Sequence, residues 1–518
     1  MDYLLGIDVG TTNLKAALFT EDGTLHSLSN KEIKTFYNKN DEAYYEPNRL
    51  WEEISLIVKE CIQHSQGAHK IAAVSVASMG EAGVVLDKNG EPLLPSIAWF
   101  ERSSIKQSTE IEKRIGAEKI FEITGLEISP IFSLPKILWI REKYPDIFKK
   151  ISKWLCMADY VYFKLTGAHA TDYTIASHTM VLDLLKKDWS ELLLDAFDLN
   201  KNLFPPILVS GTRLGSVTSQ ASKETAILEG TPVVIGGHDQ LCGFLSSGSL
   251  IRDKVLLSSG TVESIVALLK PDVVPPKYFK GLRIGFFLDP SRLCTKSGVT
   301  ASGVSIDWFL KRIATGEILH DKRDNQSKIN YAQILNQVKA TMPGSRGLFF
   351  LPHMRGAGGP YWDPHSRGAF IGLRDTHTPE EMLRAIMESI SFETKIILDT
   401  MVDVFDIEYE TLNSIGGGTK NIIWQQIKAN IIEKTIELPD VVDSAAKGAA
   451  LLAGIGVGIY SDMISASKET FTLKECYYPE QDKLNQYKSL FSIYKLIYPA
   501  IKNINQVIDN SYLETTCK

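Results

Sequence analysis

Leu5-Gly6-Ile7-Asp8-Val9-Gly10-Thr11 runs on to Ala17-Leu18, and Leu256-Leu257-Ser258-Ser259-Gly260-Thr261 runs on to Ala267-Leu268. Glycine, threonine and alanine fall at matching offsets in the two stretches. Each reads as a strand, a tight Gly-Thr turn and a second strand. Two such hairpins, about half the chain apart, predict a duplicated unit rather than a solenoid, whose period is far shorter.

Outward from the first hairpin, Glu21-Asp22-Gly23 makes the next turn and a third strand follows to about Phe36. Asn48 reads as the cap of a helix to about Gln63, with Leu50, Ile54, Ile57, Val58 and Cys61 on one face. Ile71 to Ser78 has the pattern of a buried strand. Val84-Val85-Leu86 and Leu93-Leu94 read as a hairpin with its turn at Asn89-Gly90. Helical segments dominate from about Ser104 to Asp198. Ser, Gly and charge interrupt the pattern from Ser246 to Asp253, which places the units at 1–246 and 254–460. Residues 461–518 read as a Lys-rich helical tail without a motif. Strands alternating with helices make the class α/β.

The chain has 518 residues, 44% hydrophobic and 23% charged, with a formal net charge of −6. That length buries a large core without disulfide or metal staples. With no basic stripe, nucleic acid and anionic membrane are not expected partners. Cys61, Cys156, Cys242, Cys294, Cys476 and Cys517 are far apart, without CxxC or zinc spacing, and read as reduced thiols. Met1-Asp2-Tyr3 leads straight into a strand, and the apolar run from Gly448 to Tyr460 is too short to span a bilayer. The expected compartment is the cytoplasm.

Three segments carry candidate chemistry. In Asp8-Val9-Gly10-Thr11-Thr12-Asn13, backbone N–H groups at a glycine-bearing turn can cradle phosphate oxygens, and Asp8 can reach a phosphate-bound Mg²⁺. A solvated hairpin turn is the plainer reading, but the matching Ser259-Gly260-Thr261 turn favours a two-sided polyphosphate clamp. No GxxxxGK[ST] loop occurs, so the nucleotide site has a different architecture. In Val233-Val234-Ile235-Gly236-Gly237-His238-Asp239-Gln240, an apolar strand ends in two glycines and presents an acid, which suits a general base for a hydroxyl proton. His238 is the competing base, or a structural residue. Asn413-Ser414-Ile415-Gly416-Gly417-Gly418-Thr419-Lys420-Asn421 offers a flat glycine surface before a helix expected from Ile422. The small-residue helix Ser444 to Gly454 is expected to pack behind that loop.

From residue 3 to about 460 the chain resembles the FGGY carbohydrate kinases, members of the actin-like ATPase superfamily. Gly368-Ala369-Phe370-Ile371-Gly372-Leu373 followed by Glu381-Met382-Leu383-Arg384-Ala385-Ile386-Met387-Glu388 fits the C-terminal signature of that family. Phe132-Ser133-Leu134-Pro135-Lys136-Ile137-Leu138-Trp139-Ile140 meets the N-terminal one except for Ile131 at its first position. Pro360-Tyr361-Trp362-Asp363-Pro364 and Asp159 to Gly167 also look like family segments. The resemblance implies two actin-like, ribonuclease H-like domains with the active site in the cleft between them, the first binding sugar and the second ATP.

By position, the resemblance makes Asp239 the catalytic base and Asp8 the support for Mg²⁺. It sets Thr11, Thr12, Asn13 and Lys15 around the outer phosphates of ATP, with Thr261 opposite. Gly303 and Asp307 stand by the nucleotide, and Gly417 and Asn421 at its adenosine end. Glu81, Asp239 and Gln240 meet substrate hydroxyls, with Trp99 as an apolar wall; Glu81 as a solvated loop acid and Trp99 as core packing are the alternatives. Glycerol kinases carry Arg-Glu where this chain has Gly80-Glu81, and Tyr where it has Ile131, so glycerol is disfavoured. Ser78-Met79-Gly80 resembles the loop of xylulose- and gluconate-type kinases without the His often found there. A ketose such as a pentulose is the favoured substrate, ahead of other small sugars, polyols and sugar acids. A homodimer remains open. A catalytically inactive sugar or nucleotide sensor and a protein-binding actin-like ATPase are the competing functions on this fold.

Overall fold

The computed structural model describes residues 2–65, 70–271, 281–313 and 331–516; Cys517 lies outside them. Their strands build two large sheets. The first contains β1 (Tyr3–Val9), β2 (Asn13–Phe19), β3 (Leu25–Glu32), β4 (Ile71–Ser78), β5 (Arg213–Ser216) and β6 (Pro232–His238), in the order β5-β6-β4-β1-β2-β3. The second contains β7 (Val255–Ser259), β8 (Glu263–Leu268), β9 (Arg283–Phe286), β10 (Leu293–Val299), β11 (Thr411–Ile415), β12 (Thr435–Pro439) and β13 (Leu473–Tyr477). Its order is β9-β10-β8-β7-β11-β12-β13.

The near-repeat in sequence becomes a repeat in topology. β1 pairs antiparallel with β2 and parallel with β4, which pairs parallel with β6. β7 pairs antiparallel with β8 and parallel with β11, which pairs parallel with β12. The outer strands β3 and β10 match in the same way, as do β5 and β13. The second sheet therefore extends past Tyr460, because β13 closes its edge. The long helix Gln481–Thr516 is also anchored there: its Tyr487 and Tyr494 hydroxyls donate to buried Glu388 and Glu393 at 2.9 and 2.8 Å.

Several local expectations change. Helix α1 (Pro47–His64) begins at its proline, whose fixed φ suits the first helical position; Asn48 does not cap it, and its Oδ1 instead accepts from the Tyr160 hydroxyl at 3.2 Å. The five apolar residues of its expected inner face are all buried. The turn at Asn89-Gly90 forms, with Gly90 at φ 86°, but the strand before it pairs with Lys153–Cys156. Leu86 keeps one isolated bridge to Pro92.

Two helices bind the sheets together. α2 (Asp239–Ser246) follows β6, and α3 (Ser444–Gly456) occupies the matching place after β12. Leu4, Ala17 and Val234 of the first sheet share one buried cluster with Leu241 and Phe244 of α2. Ala446, Ala449 and Ala450 of α3, and Leu256, Val266 and Ile415 of the second sheet, belong to the same cluster. The expectation that α3 packs behind the triple-glycine loop is corrected: it lies against the first sheet. A Cβ on Gly6 would sit 1.9 Å from the Ala446 carbonyl oxygen, and one on Gly448 would sit 2.0 Å from that of Cys242. Small residues here serve close backbone approach across the two halves. Cys61, Cys156, Cys242, Cys294 and Cys476 are free thiols. Among the described residues no helix is long and apolar enough to cross a membrane.

Candidate active site

Three neighbouring parallel strands deliver the first group of residues. Val9 of β1, Ser78 of β4 and His238 of β6 lie in register. The side chains at or just beyond these carboxyl ends are Asp8, Glu81 and Asp239, and in open α/β sheets ligands bind beyond such ends. The two glycines before His238 have a packing cause. A Cβ on Gly236 would lie 2.0 Å from the Val76 carbonyl oxygen, and one on Gly237 would lie 2.6 Å from Leu288. The register shifts at this point, and Gly236 N donates to the Tyr162 hydroxyl at 2.6 Å. His238 N donates to Thr174 Oγ1 at 2.7 Å, which fixes the head of α2.

Asp239 opens α2 and is partly exposed. Its Oδ1 accepts from Gln240 N at 2.6 Å and lies 2.9 Å from His238 Nδ1. His238 is thus the cap and neighbour of the acid, buried in the position the competing reading gave to a base. Gln240 is half-buried beside it.

Asp8 is buried, and its Oδ1 has no hydrogen-bond partner. Burial pushes its carboxyl up to about 7; the charges of Asp239 and Asp443 add to that, and Lys15 opposes it. A carboxylate oxygen without a donor, near two further acids, is a hard-oxygen set that fits a divalent cation. Lys15 Nζ lies 4.0 Å from Asp8 and 2.5 Å from Asp443 Oδ1, so here it bridges β2 to the start of α3. Thr11, Thr12 and Asn13 are exposed at the turn, which closes through Gly10 N to Asn13 O at 3.1 Å.

The second sheet repeats this edge. Gly260 N donates to Val262 O at 2.9 Å and leaves Thr261 exposed. Gly303, first residue of the short helix Gly303–Trp308, donates to Gly260 O at 3.0 Å, and a Cβ there would lie 2.5 Å from that oxygen. Gly416, at φ 91°, packs on Ser259, while Gly417 faces open space. Asn421 caps the helix Ile422–Ile432 by accepting from Trp424 N at 3.0 Å. Thr261, Gly303, Gly417 and Asn421 therefore surround one hairpin end. Asp307 points outward and pairs with Lys311 at 3.4 Å.

Beside Asp239 lies a buried cluster in which Glu81 and His238 were legible in the sequence and His178 and Lys296 were not. Glu81 is no solvated loop acid: it is buried, and its Oε1 lies 2.7 Å from His178 Nδ1. Lys296 Nζ of β10 lies 2.5 Å from Nε2 of the same ring. An ammonium group only donates, so Nε2 accepts and Nδ1–H donates to Glu81. Burial and the Lys296 charge push His178 down to about 3, which keeps the ring neutral. Burial alone would raise Glu81, but its contact with His178, with His238 and Arg283 behind it, holds it below the ordinary carboxylate range. The His178 ring stacks on His238 with centroids 4.2 Å apart, and a Cβ on Gly80 would meet its Cγ at 2.7 Å. Gly80 is thus the space His178 needs. Trp99 is half-buried, edge-on to Phe100, and its carbonyl accepts from buried Lys136 at 3.3 Å. The ligand atoms of Glu81, His178 and His238 lie within 4.8 Å of one another, but the Lys296 ammonium already fills the free ring nitrogen of His178.

Two hairpins with glycine turns, an acid after a double-glycine bulge and a triple-glycine loop on one repeated fold are matched by one family. The profile for the FGGY family of carbohydrate kinases, N-terminal domain, covers residues 3–246, and that for the C-terminal domain covers 258–457. The chain belongs to the FGGY family of carbohydrate kinases. A xylulose kinase of Bacillus subtilis (strain 168) is 29% identical over 514 residues, covering 98% of this chain and 99% of that one. The crystal structure of a ligand-bound xylulose kinase from Lactobacillus acidophilus superposes with a TM-score of 0.86 at 24% identity, covering 97% of this chain and 99% of that one. That of a gluconate kinase from Lactobacillus acidophilus gives 0.84 at 25%, covering 96% and 98%. The fold of this FGGY kinase is the two-domain actin-like one.

Proposed function

We propose that the protein transfers the terminal phosphoryl group of ATP to a hydroxyl of a small sugar, polyol or sugar acid, with Asp239 as the general base. The observation that carries this reading is the place of Asp239: first residue of α2, at the carboxyl end of β6, held against His238 and within electrostatic reach of Asp8. Phosphoryl transfer is mostly positioning and charge stabilisation, with a base orienting the attacking hydroxyl. Asp239 holds that hydroxyl and accepts its proton; Glu81 and Gln240 orient neighbouring hydroxyls, with Trp99 as a wall. Asp8 holds Mg²⁺, which neutralises phosphate charge when bound. Thr11, Thr12, Asn13 and Thr261 line the outer phosphates, with Lys15 released from Asp443 to join them. Gly303, Gly417 and Asn421 take the nucleoside end, with Asp307 at its rim. The first unit is then the sugar side and the second the nucleotide side.

The relatives named xylulose kinase support a ketose such as a pentulose, and the gluconate kinase likeness supports a sugar acid. Gly80 and Ile131 weigh against glycerol.

General-base catalysis contributes ~10²–10⁴-fold. In an ADP-release assay, Asp239→Asn is expected to lower kcat by about that factor with ATP affinity little changed. Near-normal turnover in that variant would overturn the assignment. His238→Asn is the control: loss of turnover there alone, at unchanged stability, would move the base to His238.

A further inference from the structure

Arg283 and Lys296 stand directly opposite each other on β9 and β10. Directly opposed residues of an antiparallel pair project from the same face, and like charges so placed repel. Their side chains reach the Glu81–His178 wall contributed by the first unit. Lys296 has one partner among the described residues, His178 Nε2, for three donors. Arg283 lies over the rings of Phe132 and Trp362, at 5.2 and 4.8 Å, and among the described residues makes no hydrogen bond or ion pair. The charges of Glu81 and of Glu127, whose carboxylate accepts from Gly281 N, both act on Arg283.

The site therefore has a polarity. Asp239 and Glu81 accept hydrogen bonds and suit hydroxyl groups. Across from them, a guanidinium fork and an ammonium offer donors with few acceptors. A planar fork of N–H groups matches a carboxylate bidentately. A neutral ketose or polyol offers that fork single hydroxyl oxygens and no planar pair of acceptors.

We infer that the acceptor is a polyhydroxy carboxylate, its acid group held by Arg283 and Lys296 and its reacting hydroxyl turned toward Asp239. This rests on the kinase reading above and narrows its substrate class. It also assigns the second unit a share of the acceptor site.

The test uses the full-length protein with Mg-ATP and matched series: five- and six-carbon aldonates against the ketoses and alditols of the same length. The expected result is a kcat/KM for the best acid at least about 10-fold above that of any neutral compound, in keeping with a charge-assisted bidentate contact. Arg283→Gln is expected to lower kcat/KM for the acid by about 10- to 100-fold, mainly through KM, and to lower it much less for neutral compounds. Arg283→Lys should recover part of the loss. A ketose preferred over every acid, with turnover still dependent on Asp239, overturns the anion site and leaves the kinase reading standing. Equal loss on acids and neutral compounds in Arg283→Gln also overturns it. Phosphorylation of no compound in either series would count against the kinase reading itself, and the inference falls with it. If Arg283→Gln fails to fold, the wild-type comparison alone decides.

Discussion

Lys296 Nζ on β10 and His178 Nε2 in the first unit lie 2.5 Å apart across a sequence separation of 118 residues. The contact joins the two units at the floor of the candidate site, and both residues are buried. Removing one partner of a buried charged contact is far more damaging than removing both.

His178→Phe leaves the Lys296 ammonium without an acceptor, and the expected loss is about 3–5 kcal/mol of unfolding free energy. Lys296→Met leaves a neutral ring nitrogen unpaired and should cost about 1–3 kcal/mol. The double variant should be more stable than the sum of the two by at least about 1 kcal/mol. Urea unfolding of the four proteins measures this, and strict additivity would mean the contact does not form.

Asp8 titrates against the usual sense for a native carboxylate. Its folded value is raised from 3.8 to about 7, so the native state binds the proton that the unfolded chain releases. Its contribution is therefore neutral below about pH 4 and becomes increasingly unfavourable up to about pH 7. Asp8→Asn should raise the apo Tm at pH 8 and leave it nearly unchanged at pH 4. Stabilisation by Mg²⁺ with nucleotide should fall in the same variant. A Tm difference independent of pH would show that the buried acid is not the cause.

Lys428 and Glu263 form a fully buried ion pair directly beneath the Gly260-Thr261 turn. Lys428 also donates to Ser259 Oγ at 2.7 Å, and Thr394 Oγ1 donates to Glu263 at 2.5 Å. The pair ties the helix behind the triple-glycine loop to the hairpin it faces. Lys428→Met strands Glu263, with an expected loss of about 3–5 kcal/mol and a raised KM for ATP at unchanged acceptor KM. Restored stability in Glu263→Gln/Lys428→Met would confirm that the stranded charge is responsible. Measuring both KM values in the single and double variants separates positioning from stability.

Gly6 is held by contact with α3. Gly6→Val adds three carbons where even one would lie 1.9 Å from the Ala446 carbonyl oxygen. Overpacking costs typically about 1–3 kcal/mol or more, and here it acts on the helix shared by both sheets. Circular dichroism melts should show a lowered Tm, whereas Gly417→Ala, at a position facing open space, should leave Tm unchanged.

The sequence by itself determined what is local. The paired hairpins follow from alternation and a Gly-Thr turn repeated at matching offsets, and the acid after Gly236-Gly237 from an apolar strand that ends in two glycines. Those patterns cover Asp8, Asp239, Thr261 and the Gly416–Gly418 loop, because a turn needs its glycine in the residues that make it. The tertiary structure alone decided which distant groups meet. His178 stands in Thr174-Ile175-Ala176-Ser177-His178-Thr179, with no periodic or turn signal that marks it, yet it fills the space Gly80 leaves and links Glu81 to Lys296. α3 was legible as a small-residue helix, but its partner was not: small residues announce close approach without naming the surface approached. Strand β13 was hidden in a charged segment because an edge strand with exposed faces lacks apolar alternation. Burial and charge pairing are sums over contacts between remote segments, and they become definite only when both sheets close on their shared helices.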